Sequence, residues 1–320
     1  MTTNSSIKDV TFPQRVREWV KLFAMRLRGL GQPGDFDWLW RDFAEYDRYC
    51  SQYCGTPLKD ATILEIGFGA RPDRLLALTS MGFKARGVDL DMPILRGTWK
   101  EFAALSRKNG YERLLKSVVR HFLFDWQPRR DLRRALAKKG HRLSIPHFPC
   151  AEFIIADAAS LAMNTHIQPA SLDFVFSEDV FEHIPAETLP TLLRNLSQWI
   201  KPQGLALIRP NVFTGITGGH LVEWYCHTIN TPIPRQSEPW EHLRRKRLCA
   251  NTFLNRLSLA DYRRLFSESF AILEERVVHP DLGRQFLTPD VRQELLGFSE
   301  EELFSNQVLF VLQPKPHGPP

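Results

Sequence analysis

Apolar positions along the chain change period in a regular way. Ile63, Leu64 and Ile66 make a short apolar run of the kind a strand buried on both faces requires, and Gly67 and Gly69 break it. Pro72 suits a helical first turn, and Leu75, Leu76 and Leu78 carry the helix to Met81-Gly82 before a second apolar strand ends at Val88-Asp89. Strand, glycine turn, helix, strand is the opening of an open parallel α/β sheet. Its ligand crevice lies beyond the carboxyl ends of the strands. Asp89, 22 residues past Gly67, is placed to accept two hydrogen bonds from a ribose diol. The third glycine of a dinucleotide fingerprint is missing, since Pro72 stands there after Arg71. Glu65, one residue inside the strand end, suits a cationic ligand better than a pyrophosphate.

The alternation continues downstream. A third strand is expected at Phe153-Ile154-Ile155 and a fourth over Leu172–Ser177. A helix over 186–200 turns Leu189, Leu192, Leu193 and Leu196 inward, Lys201-Pro-Gln-Gly204 ends it, and Leu205–Ile208 form the fifth strand. Ser258-Leu-Ala-Asp261 has the form of a capping box. Residues 270–278 and 307–313 make a closing strand pair, with helical turns at 289–296 and 299–304 between them.

Before the first strand, Val16, Val20, Phe23, Leu27 and Leu30 share a helical face within a basic segment, residues 14–30. That pattern fits a helix packed on the domain, or one lying on a membrane or a protein. Residues 35–53 predict a second helix rich in aromatic residues. Between Asp89 and Phe153 the chain runs 64 residues where about 20 to 30 would serve. The excess predicts helices over 94–108, 111–124 and 128–139. The expected organisation is a helical extension over 1–54, a main domain over 55–315 with an insertion over 92–150, and a tail over 316–320.

Composition adds charge asymmetry. The net charge is +6, yet residues 92–150 hold 14 Lys and Arg against 4 Asp and Glu, so the insertion carries +10 and the remainder −4. The insertion is either a solvated cap or one that attracts an anionic acceptor, and a non-catalytic domain binding RNA through it is a separate reading. Apolar content of 43% suffices for a sizeable core. Five cysteines in no regular framework exclude an extracellular disulfide scaffold. Cys50-x-x-x-Cys54 and His147-x-x-Cys150 lack the second paired set a structural zinc site needs. The start has no apolar signal segment, so a cytoplasmic protein is expected.

The ordered set Ile63–Asp91, Ile154–Ala158, Ser171–Pro185 and Trp199–Ile208 resembles the class I S-adenosylmethionine-dependent methyltransferases, of the type 11/23 kind. The resemblance implies a Rossmann-like, doubly wound α/β sheet of seven strands with an antiparallel last strand, plus N-terminal helices and a helical insertion. It implies S-adenosylmethionine held by Glu65, Gly67, Phe68 and Gly69 at its methionine part and by Asp89 at the ribose. Leu90, Asp157 and Ala158 would frame the adenine, and Ser177 would line the same site. Asp179-Val-Phe-Glu182-His183 resembles a Glu-x-x-Glu-His metal motif, with Asp in place of the first Glu. Asp179, Glu182 and His183 are therefore the catalytic candidates. They could hold a divalent ion with His220 as fourth ligand, or His183 could act as base. The plainer alternative is a histidine bonded to neighbouring backbone.

Asn211, His220, Glu223 and Trp224 are candidates for acceptor contact, because they follow the fifth strand. The expected activity is O-methylation of a small molecule or glycan precursor, with an anionic acceptor favoured by the basic insertion. Nucleic acid is not the expected partner. From another class, a nicotinamide-dependent oxidoreductase shares the glycine turn but calls for the missing third glycine and tolerates Glu65 poorly.

Overall fold

The computed structural model describes Val20, Phe23 and residues 34–246 and 252–316. The start of the expected extension, nearly all of the helix over 14–30 and the last four residues of the expected tail lie outside the described residues. Seven strands form one sheet in the order β3-β2-β1-β4-β5-β7-β6. They are β1 (Thr62–Ile66), β2 (Lys84–Asp89), β3 (Phe153–Ile155), β4 (Leu172–Glu178), β5 (Ile200–Arg209), β6 (Phe270–Val277) and β7 (Val308–Pro314). β1 pairs in parallel with β2 and β4, whereas β7 runs antiparallel between β5 and β6. Strand order reverses at β1, and a crevice opens there at the carboxyl ends.

Side chains alternate between two cores, one on each face of the sheet. Ile63, Phe174, Phe176 and Leu207 point to the face covered by α1 (Asp37–Tyr49), α2 (Asp73–Ser80) and part of the insertion. Leu64, Val175, Ala206 and Ile208 point to the face covered by α5 (Leu189–Trp199) and α6 (Leu259–Ser269). The expected capping box forms: Ser258 Oγ accepts from Asp261 N at 3.1 Å, and Asp261 Oδ2 accepts from Ser258 N at 3.2 Å.

Two expectations about element limits change. The insertion's first helix starts at Trp99, not Ile94, because Thr98 and Glu101 form a capping box while Ile94 and Leu95 stay buried in a loop. That helix, α3 (Trp99–Leu123), takes in both of the first two expected segments and bends at Gly110, where φ is 82°; α4 (Trp126–Lys138) follows. Lys201-Pro-Gln-Gly204 lies within β5 as a register shift against β4, since a Cβ at Gly204 would come within 2.9 Å of Asp173 O. α1 shares a core with the sheet: Leu39, Phe43, Tyr46 and Tyr49 are buried together with Ile63 and Phe174.

α1 also carries charge into the interior. Tyr46 Oη donates to Glu178 Oε1 at 2.6 Å, and Arg209 reaches Glu178 Oε2 at 3.0 Å and Glu45 Oε2 at 2.6 Å. Arg74 of α2 donates to Asp42 Oδ2 at 2.8 Å. Burial pushes Glu178 up to about 7 against the pull of Arg209 and Arg74. Such a network is costly to open, because a carboxylate that loses its donor keeps its desolvation penalty. Tyr46→Phe is therefore expected to lower the unfolding free energy by about 1–3 kcal/mol, measured by urea titration; an unchanged midpoint would show that Arg209 alone satisfies Glu178.

Candidate functional site

The turn after β1 is shaped by close approach. Gly67 N donates to Val88 O at 2.8 Å, and Gly67 and Gly69 take φ of 79° and 66°. A Cβ on Gly67 would lie 2.3 Å from Val180 Cγ2, so only glycine lets the loop after β4 close on this turn. Gly69 N donates to Asp89 Oδ2 at 2.7 Å and Asp91 N to Asp89 Oδ1 at 2.8 Å. Both oxygens keep a lone pair for a ligand. Burial holds the Asp89 carboxyl up at about 6, in spite of the Gly69 and Leu90 amides and the nearby Arg113.

A cavity of about 680 Å³ opens beside this turn, a size suited to a nucleoside ligand. Gly67, Phe68, Gly69, Asp89 and Leu90 line one side and Asp157 and Ala158 another. The Phe68 ring itself packs edge-on against Phe153 at 5.3 Å. Two expected residues are not on the wall. Ser177 is buried, with its hydroxyl donating to Ile66 O at 3.0 Å, so it ties β4 to β1. Glu65 points to the sheet face under α1, behind the wall-lining Arg74 and Glu178. Its Oε2 has no hydrogen-bond partner, and burial pushes its carboxyl up to about 8.

A second cavity of about 290 Å³ adjoins the first. Asp179 and His183 line both. Asp179 has φ of 55°, a conformation Asp tolerates better than most residues. Its Oδ1 accepts from Asn211 Nδ2 at 2.8 Å and from Gln307 Nε2 at 2.5 Å. Asn211 also donates to Glu182 Oε1 at 2.7 Å, so one amide joins the two acids. His183 ends a 3-10 turn, Phe181–His183, and its Nδ1 lies 2.9 Å from Phe253 O. A carbonyl can only accept, so Nδ1 carries the proton and Nε2 keeps its lone pair. The backbone contact expected of an ordinary histidine is thus present, and it also sets the tautomer.

His220 meets His183 edge to face at 5.1 Å and is pushed down to about 3 by burial and by His183. It is neutral at pH 7. Burial, then Asp179, pushes Glu182 up to about 8, and Glu182 Oε2 has no partner. Among the described residues, the one group able to surround an ion is Glu182, His183 and His220, with ligand atoms within 4.8 Å of one another. Of the expected Asp179–Glu182–His183 set, Glu182 and His183 fall in this group together with the expected fourth ligand His220, whereas Asp179, whose Oδ1 is engaged by Asn211 and Gln307, does not. The Cys50–Cys54 and His147–Cys150 pairs form no such group among the described residues.

Of the four candidates for acceptor contact, Asn211 and His220 line the second cavity. Glu223 and Trp224 do not. Glu223 Oε1 accepts from Ser237 Oγ at 2.8 Å, and the Trp224 ring is buried against Phe286 at 5.1 Å in a separate small core. Sequence position after β5 could not tell the wall from the core behind it. Sequence reasoning missed Val180, Arg113, Tyr225 and Gln307, all of which line the cavities. Only Val180 carried a local signal, its place beside Asp179. The others arrive from the insertion, the loop after β5 and the start of β7.

Residues 123–208 match the family model of a methyltransferase domain. No curated protein matches the sequence. Among solved structures, the chain is similar to a protein of Pyrococcus horikoshii at 15% identity, covering 86% of this chain and 91% of that one, TM-score 0.43. Geranyl diphosphate C-methyltransferase from Streptomyces coelicolor, solved with Mg2+, geranyl-S-thiolodiphosphate and S-adenosyl-L-homocysteine, is similar at 12% identity over 85% and 76%, TM-score 0.41. Phosphoethanolamine N-methyltransferase 2 from Haemonchus contortus is similar at 16% identity over 88% and 56%, TM-score 0.41.

Gly67→Ala is expected to cost about 1–3 kcal/mol from overpacking on Val180. Val180→Ala in the same chain should recover part of that loss; thermal melts of the single and double variants check it. A pH effect follows from Glu65 and Glu182. Between the ordinary carboxyl value of about 4.3 and about 8, the unfolded chain releases protons the folded chain keeps, so stability falls as pH rises through that window. Glu65→Gln should flatten the fall by up to ~1.4 kcal/mol per pH unit, read from urea midpoints across the window.

Proposed function

Taking as premise that the chain carries a methyltransferase domain on a class I seven-stranded sheet, we propose that it methylates an oxygen of a small molecule or glycan precursor. The donor is S-adenosylmethionine. Its fit to the larger cavity rests on the Gly67–Gly69 turn, the spare lone pairs of Asp89 and the unpartnered oxygen of Glu65 behind the wall. Asp89 would hold the ribose, Leu90, Asp157 and Ala158 the adenine, and the glycine turn the methionine part. Glu65 would answer the ammonium from behind. When bound, the donor supplies a methyl group on a good leaving group, so orientation and exclusion of water supply much of the rate.

One observation carries the reading: Asp179 and His183 belong to the walls of both cavities. An acceptor in the smaller cavity would meet the donor cavity at these two side chains. His183, with Nδ1 tied to Phe253 O, offers Nε2 to take the proton an acceptor hydroxyl must lose. Asn211 and His220 would contact the acceptor. A second reading, an ion on Glu182, His183 and His220, is supported by the 4.8 Å grouping and the unpartnered Glu182 Oε2. In that case His183 is a ligand and not a base.

Calorimetric titration with S-adenosylmethionine tests the donor: Asp89→Ala should weaken binding at least ~10-fold, the loss of about 1.4 kcal/mol of ribose contact. Undiminished affinity would remove the ribose assignment. Incubation with methyl-labelled donor and fractionated cell extract would identify the acceptor class. With that acceptor, His183→Gln should lower kcat by ~10²–10⁴-fold if the imidazole is the base. Turnover that is abolished by chelator and restored by a divalent ion would assign His183 to the ion instead.

A further inference from the structure

The second half of α3 is apolar on two sides. Its sheltered side carries Leu114, Ser117 and Val118, with Leu114 and Val118 packed on the cluster of Met92, Ile94 and Leu105, and also Arg120, paired with Asp125 at 3.2 Å, and the partly exposed Arg113, paired with Asp91. Its solvent side carries Tyr111, Leu115, Val119 and Phe122, which are 74%, 55%, 37% and 63% exposed. At spacings of four, four and three residues, these side chains form one ridge. Trp126, which opens α4, extends it, with the Arg130 guanidinium 5.2 Å over its ring. Phe122 also meets Phe102, which brings the first half of α3 against the ridge. A helix that already packs one apolar side on its own domain and still shows a ridge of large apolar groups on the other has a further partner for that ridge.

Charge identifies that partner. Three of the insertion's four acids, Glu101, Asp125 and Asp131, are buried, which leaves Glu112 as its exposed acid. Ten of its Lys and Arg residues are exposed, among them Lys100, Arg107, Lys116 and Arg133. An apolar ridge with aromatic residues, set among cations, matches a surface that is apolar within and anionic outside. We propose that the insertion docks this protein on an anionic lipid bilayer, with the Tyr111–Trp126 ridge at the level of the acyl-chain boundary and the basic side chains on the headgroups. Phe23 packs edge-on against Phe124 at 5.4 Å, at the end of the same ridge. Arg113, on the sheltered side of this helix, lines the larger cavity, so docking holds that cavity near the lipid.

The test is flotation of the full-length protein with vesicles of phosphatidylcholine alone or mixed with phosphatidylglycerol, independent of any methyl-transfer assay. Binding is expected to the mixed vesicles and to weaken as salt is raised. Leu115→Ser with Phe122→Ser should lower the partition coefficient at least ~10-fold, because both side chains lose their place in the interface. Both positions are exposed, so the melting temperature of the double variant should match the parent. Lys100→Gln with Lys116→Gln should weaken binding to anionic vesicles and flatten its salt dependence. Failure of the parent to float with either vesicle would overturn the proposal, as would equal binding by the Ser variant. Sedimentation velocity showing a dimer that the Ser variant breaks, or RNA binding without vesicle binding, would overturn it as well.

Discussion

A missing side chain lets the two halves of the site meet. At Gly67 the backbone turns with positive φ, and the space a Cβ would fill belongs to Val180. That contact draws the loop after β4 onto the turn after β1. Asp179 and His183 follow Val180 to the join between the two cavities. The same turn presents Gly69 N to Asp89, fixing the acid that ends β2. One steric allowance thus orders the walls of the larger and the smaller cavity together, at the point where the strand order reverses.

Around this contact the protein keeps acids in places where ionising them is expensive. Glu65, Glu178 and Glu182 are all raised by burial, and each stands behind or beside a cavity wall. Glu178 is answered by Tyr46 and Arg209. Glu65 and Glu182 each retain an oxygen without a partner. A cationic ligand or an ion would supply what those oxygens lack, and the cost of leaving them bare is what makes them informative. α1 is what pays for the answered one. It reaches across the sheet from outside the repeating βα pattern and brings Tyr46, Asp42 and Glu45 to the strand ends.

The insertion follows the opposite logic. It buries a small apolar cluster of its own, Met92, Ile94 and Leu105 with Leu114 and Val118 packed on them, yet leaves ten cations and a row of large apolar side chains in solvent. The Arg113–Asp91 and Arg120–Asp125 pairs and the Thr98–Glu101 cap add to those apolar contacts.

The sheet, its order of strands and helices, and the places of Gly67, Asp89 and His183 were legible in the sequence, because local periodicity and turn chemistry report on backbone state. Asp157 and Ala158, which the sequence set at the end of the third strand, line the larger cavity with the glycine turn, since strand ends in a parallel sheet converge. It could not separate Asn211 and His220, on the wall, from Glu223 and Trp224, packed behind it. All four lie in one loop, and burial there depends on residues such as Ser237 and Phe286 that are distant in sequence. Nor could it tell that Asp179 stands apart from Glu182, His183 and His220, because Gln307, just ahead of β7, reaches Asp179 from a part of the chain distant in sequence. Periodicity is a property of neighbours along the chain, and local pattern alone fixed it. Which side chains share a cavity is a property of neighbours in space, and only the packing of the sheet, the loop after β5 and the insertion decided that.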